Sequence, residues 1–408
     1  MAISGRDYSR TLIDLSKRLT YLGRREDALE AILEAVDLRR RRAGRRANFN
    51  ADLAVSLNSL SNRFAGLGRH EEALKAILEA VDLYRRLAEE RPAAFNAHLA
   101  GSLNNLSRCL SDLGCREEAL KAILEAVDLL RRLAEQPAVV FNADLALSLN
   151  NLSIHLSDLG RQEEALKAIL EAVDLYRRLA NERSAVFNAH LARSLNNFSN
   201  RLSVRGRREE ALKAILEAVD IRRQLAKEQP AAFNADLALS LNNLSARLSD
   251  LEHREEALKA IREAVDLYRQ LAEERPAAFN ADLALSLNNL SNGLSNLGCR
   301  EEALKAILEA VGLRRQLAKE RPAAFNADLA RSLNNLSPRL LDLGRQEEAL
   351  KAILEAVDLR RQLAEEQPAA FKADLARSLT NLSVCLSHLG QQEEASKAML
   401  EKAHLEAQ

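Results

Sequence analysis

The chain has 408 residues, too many for one ordinary hydrophobic core, so several domains or a repeat array are expected. Aromatic residues make up only 4% and Trp is absent, which suits helices packed through aliphatic side chains. Lys plus Arg and Asp plus Glu both number 59, a balance that argues for neither a specific nucleic-acid partner nor a membrane partner.

The N-terminus, MAISGRDYSR, has no apolar stretch of the signal-peptide kind, and no apolar run reaches membrane-spanning length. The four cysteines (Cys109, Cys115, Cys299, Cys385) are scattered without zinc-ligand or redox spacing, which suits a reducing interior. A soluble, cytoplasmic protein is expected.

The first patterned segment is Leu12-Ile13-Asp14-Leu15-Ser16, a divergent copy of a motif that recurs down the chain. Its unit closes on a basic run at residues 39–46 (RRRRAGRR). Cations at a helix end complement the dipole, so a solvated terminus is expected there, with an acidic or nucleic-acid contact as the rival. The motif proper starts at Leu57 (LNSLS), Leu103 and Leu149 (LNNLS), Leu195 (LNNFS), Leu241, Leu287 and Leu333 (LNNLS) and Leu379 (LTNLS), in steps of 46 residues. Self-similarity at such a period is the signature of a solenoid. Nine units fill the chain, at about residues 4–48, 49–94, 95–140, 141–186, 187–232, 233–278, 279–324, 325–370 and 371–408.

The fourth unit serves as the ruler. Phe141-Asn142-Ala143-Asp144 reads as a helix start with Asn142 as N-cap. Leu145, Leu149, Leu152, Leu156 and Leu159 then form one apolar stripe, and Gly160 ends the helix. A second helix is predicted from near Glu163 to about Asn181, burying Ala165, Ile169, Ala172, Val173 and Tyr176. Most units then close on a Pro shortly before the next Phe, as Pro276 does before Phe279. One such hairpin exposes apolar surface on both sides, so neighbours must cover it.

Leu149, Leu152, the small Ser153, Leu156, Gly160, Ala165, Ile169 and Ala172 match the pattern of the tetratricopeptide family. The chain resembles in particular its longer, kinesin-light-chain-like subtype, in the style of fungal and bacterial arrays. Such arrays often follow a nucleotide-binding or protease-like domain, and this sequence contains no Gly-rich phosphate loop. The resemblance implies an all-α superhelix (solenoid) of nine helix-turn-helix repeats, with the first helix of each pair lining a concave groove.

Four departures cluster in units six to eight. Glu252 stands where other units have the helix-ending Gly, Gly293 lies within a first helix, Gly312 within a second, and Pro338 in mid-helix. Pro338 is expected to kink or break its helix, and the region to be the weakest part of the array. In the last unit Ser396 replaces a Leu, Lys402 an Ala and Ala403 a Val, so a solvent-facing cap that completes the array is expected.

Catalysis finds no support. The seven histidines make no HExxH or paired-ligand spacing, and pairs such as Glu163-Glu164 mark helix starts. Each Ser of the motif is the small residue of a helix contact. No catalytic residue, metal ligand or cofactor site is assigned.

On a helical wheel the face opposite the apolar stripe of the first helix holds the columns of Leu147, Asn151, Ile154 and Asp158. Three vary between units. The Leu147 column contains Leu147, Arg193, Leu239, Leu285, Arg331 and Arg377, with Gly101 in the third unit. The Glu171 column on the second helix, also solvent-suited, is Glu in every copy, so exposure alone does not account for the variation. Amid it, one column stays Asn at Asn105, Asn151, Asn197, Asn243, Asn289, Asn335 and Asn381. A primary amide offers donors and an acceptor, as an extended peptide backbone requires. These Asn residues and the Leu147-column residues are the expected peptide-binding set, whereas the adjacent Asn150 column is expected to bridge helices. The predicted function is a non-catalytic scaffold for a protein or extended peptide. The rival is an architectural spacer or oligomerisation array, and the sequence leaves the oligomeric state open.

Overall fold

The computed structural model describes residues 5–43, 47–135 and 141–407, and among these the chain is helical throughout, with tight turns and no strand. It divides into two halves, residues 1–207 and 208–408. The first half holds α1 (Gly5–Tyr21), α2 (Arg25–Arg40), α3 (Ala47–Gly66), α4 (His70–Glu90) and α5 (Pro92–Asp112). It continues through α6 (Arg116–Ala134), α7 (Asn142–Asp158), α8 (Gln162–Glu182) and α9 (Ser184–Val204). The second half begins with α10 (Arg208–Glu228), α11 (Pro230–Asp250), α12 (Arg254–Glu274), α13 (Pro276–Asn296) and α14 (Arg300–Glu320). It ends with α15 (Pro322–Leu341), α16 (Gln346–Glu366), α17 (Pro368–His388) and α18 (Gln392–Ala407). Eighteen helices among the described residues fit nine helix-turn-helix repeats of an all-α solenoid.

Within each half every helix packs on those before and after it in sequence, and first helices also touch the next first helix, as α5 touches α7. The apolar stripes close the core as the spacing requires. Leu149, Ala146, Ile169, Ala172 and Val173 are fully buried, and Leu145, Leu152 and Leu156 nearly so. Each fully buried Leu, Ile or Val contributes about 1.5–3 kcal/mol.

The helix starts differ from the sequence reading. Pro92, Pro230, Pro276, Pro322 and Pro368 do not close a unit but open the next first helix, at its first turn. A fixed φ and a missing N–H cost nothing where the N–H has no intrahelical acceptor. The Phe therefore lies inside the helix, and the hairpins begin about three residues before the Phe-based boundaries. In the fourth repeat, Phe141 occupies the N-cap position, not Asn142, and no side-chain oxygen caps that end. Pro137 and residues 44–46 of the basic run lie outside the described residues.

The turn between paired helices has one geometry. Gly160 N–H donates to Ser157 C=O (3.0 Å) and Arg161 N–H to Leu156 C=O (2.8 Å), a left-handed cap that needs positive φ. Eight turn glycines have φ of 73–78°, and Glu252 adopts φ 63° in the same place. Pro338 does not break its helix. α15 runs through it and stops at Leu341, one repeat position earlier than α13.

Candidate binding face

The Asn151 and Asn150 columns form one hydrogen-bonded system between consecutive first helices. Asn105 Nδ2 donates to Asn58 Oδ1 (3.1 Å), Asn151 to Asn104 (3.1 Å) and Asn197 to Asn150 (3.2 Å). Asn335 donates to Asn288 (3.3 Å) and Asn381 to Asn334 (3.1 Å). The acceptor amides also reach the Ser148 column of the following repeat: Asn58 Nδ2 donates to Ser102 Oγ (2.8 Å), Asn242 to Ser286 (2.7 Å) and Asn104 to Ser148. Asn150 is 2% exposed, so the bridging role expected of its column has its geometry. Sequence reasoning missed that five of the candidate binding amides share that bridge; Asn289 does not, since the Asn242 Oδ1 it would reach is buried without a partner. One Nδ2 hydrogen of each of these five is engaged, which leaves its second N–H and its Oδ1 for a ligand.

All seven candidate asparagines, Asn243 and Asn289 included, are half-buried. Leu147 and Leu285 are half-buried, whereas Leu239, Arg193, Arg331 and Arg377 are exposed. Arg193 Nη2 lies 3.3 Å from His190 Nδ1, Arg331 pairs with Asp328, and Arg377 Nη1 lies 3.3 Å from Asp374. A cleft of about 500 Å³ gathers Asn105, Asn151, Leu147 and Arg193 with Arg108, Ile154, Asp112 and Asp144. It spans α5, α7 and α9, so the wheel positions of three successive first helices share one surface. Arg377 and Asn381 line a second cavity, of about 530 Å³, with Lys372 and Lys402 of the last repeat. The other candidates line neither.

Electrostatics are local. Under the first cleft His155 is 7% exposed, and burial holds its ring below the usual histidine range against the carboxylates of Asp158 and Asp112. The Asp144 carboxyl is pushed up by partial burial at the cleft wall. Burial first, then the Arg193 charge, lowers His190, and burial raises Tyr176 to about 12.

The constancy of the Glu171 column has a structural cause that the sequence reading did not contain. Arg131 Nη2 lies 2.7 Å from Glu171 on the next second helix, and the spacing repeats at Arg85–Glu125, Arg223–Glu263, Arg269–Glu309, Arg315–Glu355 and Arg361–Glu401. A paired column is not a neutral comparison for exposed drift. The variation of the first-helix face stands on its own, without that contrast.

Repeats of two packed helices, stacked in sequence with small residues at the contacts, are matched by a known family. The tetratricopeptide repeat family model matches residues 53–92, 145–185, 191–230, 237–276 and 329–368. The chain belongs to the tetratricopeptide repeat family. A second family model, anaphase-promoting complex subunit 5, matches residues 4–47, 88–149 and 279–322 of this tetratricopeptide array. No curated protein matches. Among solved structures, BtubC (BKLC) from P. vanneervenii is 20% identical, with 60% of this chain and 91% of that one covered and a TM-score of 0.50. A signal-transduction ATPase with a tetratricopeptide repeat sensor, from Pyrococcus horikoshii, is 15% identical, with 92% of this chain and 52% of that one covered and a TM-score of 0.56. A Podosopora anserina putative kinesin light chain with nearly identical TPR-like repeats is 18% identical, with 56% and 99% covered and a TM-score of 0.42. Tetratricopeptide repeats mediate protein–protein interaction in general, and no described helix is long and apolar enough to cross a membrane.

Proposed function

We propose that this array is a non-catalytic, cytoplasmic scaffold that holds a peptide or protein segment along the face of its first helices. The observation that supports this reading most directly is the cleft over α5, α7 and α9. There the constant Asn105 and Asn151 share one surface with the variable Arg108, Leu147, Ile154 and Arg193. Constant Oδ1 acceptors can take main-chain N–H groups whatever the ligand sequence, while the variable side chains select among ligands. Packed helices sit roughly 10 Å apart, about three residues of extended chain, so one amide per repeat is a workable register.

A second reading has its own support. On the second helices Leu33, Leu78, Leu124 and Leu170 of the first half are each 42–44% exposed, as are Leu216, Leu308 and Leu354 of the second. A half-exposed Leu in these seven repeats (the sixth has Arg262 in that column), beside the Arg–Glu pairs, would suit lateral association of an architectural array. Photo-crosslinking separates the two. A photoreactive residue placed singly at Ile154, Leu239, Leu124 or Leu308 would be irradiated in extract of the native source and the adducts identified by mass spectrometry. Adducts to another protein from Ile154 and Leu239 support the first-helix face. Adducts only from Leu124 and Leu308, to a second copy of the chain, would overturn it in favour of the array.

A further inference from the structure

The junction between the third and fourth repeats differs from its counterparts in a way that shapes the cleft. One second-helix column reads Arg39, Tyr84, Leu130, Tyr176, Arg222, Tyr268, Arg314 and Arg360. Its side chain reaches toward the first helix of the following repeat, where the facing column reads Asp52, His98, Asp144, His190, Asp236, Asp282, Asp328 and Asp374. Arg222 Nη1 meets Asp236 Oδ2 at 2.6 Å and Arg314 Nη1 meets Asp328 Oδ2 at 2.5 Å. Arg39 and Arg360 donate instead to the backbone carbonyls of Asp52 and Asp374. Where the facing residue is His98 or His190, the column holds a Tyr whose ring packs on the imidazole.

Two junctions depart from this pattern: Tyr268 faces Asp282, whose carboxyl is raised by burial, and Leu130 faces Asp144. Leu130 is too short and carries no charge, so Asp144 has no ion-pair partner among the described residues, and partial burial holds its carboxyl above the usual range. In the same repeat Gly101 stands in the Leu147 column, and a Cβ there would meet nothing within 4 Å. Gly101 opens onto the cleft of about 500 Å³, with Leu130, 1% exposed, beneath its floor and the exposed Asp144 on its wall. Two cations also line it, Arg108 bonded to Asn62 Oδ1 and Arg193 to His190 Nδ1, and since both partners are neutral their charges remain in the cleft, turned toward those partners. Asp112 is the other carboxylate in the cleft.

We propose that this cleft is a pocket for an arginine or lysine side chain of the bound segment, which enters over Gly101 and pairs with Asp144 as Arg222 pairs with Asp236. The chain itself supplies the template: at two other junctions a guanidinium occupies the homologous place against the homologous carboxylate. The aliphatic stem of the ligand side chain lies on Leu147 and Ile154, and its head meets Asp144. The proposal rests on the reading that the first-helix face binds an extended segment, and it names what that face selects at one position.

Fluorescein-labelled nonapeptides of neutral Ala/Ser/Gly sequence would carry Arg, Lys, norleucine, Glu or Trp at the central position. Polarisation would be read with the full chain and with its Asp144→Asn and Leu130→Arg variants. Arg stands at the Leu130 column in four repeats, so the second variant is compatible with the fold, and circular dichroism would check both. The Arg and Lys peptides should bind about tenfold or more tighter than norleucine or Glu, as a charge-assisted pair implies. Both variants should abolish that preference while norleucine binding persists. A preference for Trp or norleucine, or an Arg preference that survives Asp144→Asn, would overturn the pocket while leaving the binding face. If no peptide binds, the reading of the face fails and the pocket with it.

Discussion

The Tyr176 ring lies on the His190 imidazole of the next repeat, with centroids 5.5 Å apart and planes 11° from parallel. The same two columns hold Arg222 and Asp236, joined at 2.6 Å with the guanidinium 3% exposed and the carboxylate 48% exposed. The two pairs are alternative solutions to one junction, and mixing them leaves a partner unmatched. Arg222→Tyr alone should leave Asp236 without its cation, and Asp236→His alone should leave a buried guanidinium without its counter-charge. Each single change should cost about 1–3 kcal/mol, less than for a fully buried pair because Asp236 reaches water. The double change Arg222→Tyr with Asp236→His should recover most of the loss. Urea melts of the four proteins measure the coupling; additive losses would show that the pairs are independent.

This pairing shows where the sequence was legible and where it was not. The stripe of Leu145, Leu149, Leu152 and Leu156 follows from helical periodicity, so the hairpins and their stacking could be read directly. The positions of Pro276 and its counterparts could not: the residue both follows one helix and opens another, and only the backbone shows which. The face carrying Leu147, Asn151 and Ile154 followed from the wheel, and the cleft gathers those columns. The unpaired Asp144 in it did not follow, because its facing residue, Leu130, lies on a different helix. A signal was nonetheless present. The Leu130 and Asp144 columns are 14 residues apart, and they alternate together between Arg–Asp and Tyr–His in most repeats. The Asn amides were legible as a constant column but not as hydrogen-bond donors to the previous repeat, since that bond joins residues 47 positions apart.

That bond changes what substitution of the Asn column should do. Asn105→Ala, Asn151→Ala and Asn197→Ala each remove an Nδ2 donor and strand an acceptor on the preceding helix. Each should lower stability by about 0.5–1.5 kcal/mol even before any ligand is considered. Asn150→Ala removes only the buried acceptor and leaves the Asn197 Oδ1 on the surface. Measured by thermal melts, Asn150→Ala and Asn197→Ala should destabilise alike, whereas ligand affinity should fall for Asn197→Ala alone. Equal affinity losses would mean that the column acts only as a bridge.

His155 gives the array a sensitivity to acid. Its buried ring stands 3.2 Å from Ser107 Oγ, and burial outweighs the carboxylates of Asp158 and Asp112 to keep its pKa below the usual value. Folding therefore favours the uncharged ring, and the unfolded chain takes up the proton first. The contribution is complete above the ordinary histidine pKa of about 6.5 and is lost as pH falls through it toward the lower folded value. His155→Cys copies Cys109 and Cys385, which sit beside Ser61 and Ser337 in the same column. Urea midpoints compared at neutral and mildly acidic pH should fall less in the variant than in the parent. An identical fall would place the acid sensitivity elsewhere.

The stretch from Glu252 to Pro338 should be the least protected part of its half, because three local costs fall there. Glu252 holds φ 63°, a conformation that costs a residue with a Cβ about 1–2 kcal/mol. The turn glycines it replaces meet nothing within 4 Å when given a Cβ, so the cost lies in the backbone and not in crowding. Gly293 sits in mid-helix, where Gly is about 1 kcal/mol worse than Ala, and an added Cβ would rest 3.8 Å from Leu258 Cδ1, an ordinary contact. Pro338 lacks the N–H that would reach the Asn334 carbonyl, and α15 ends early behind it. Because stability in a linear array is nearly a sum over repeats and their contacts, such costs stay local. Hydrogen exchange followed by mass spectrometry should show amides of residues 252–338 exchanging faster than their counterparts in the third to fifth repeats. Glu252→Gly and Gly293→Ala should each raise stability by about 1 kcal/mol and slow exchange around the changed residue. Uniform protection along the parent chain, or a Glu252→Gly chain that exchanges no more slowly, would show that the clamped neighbours absorb these costs.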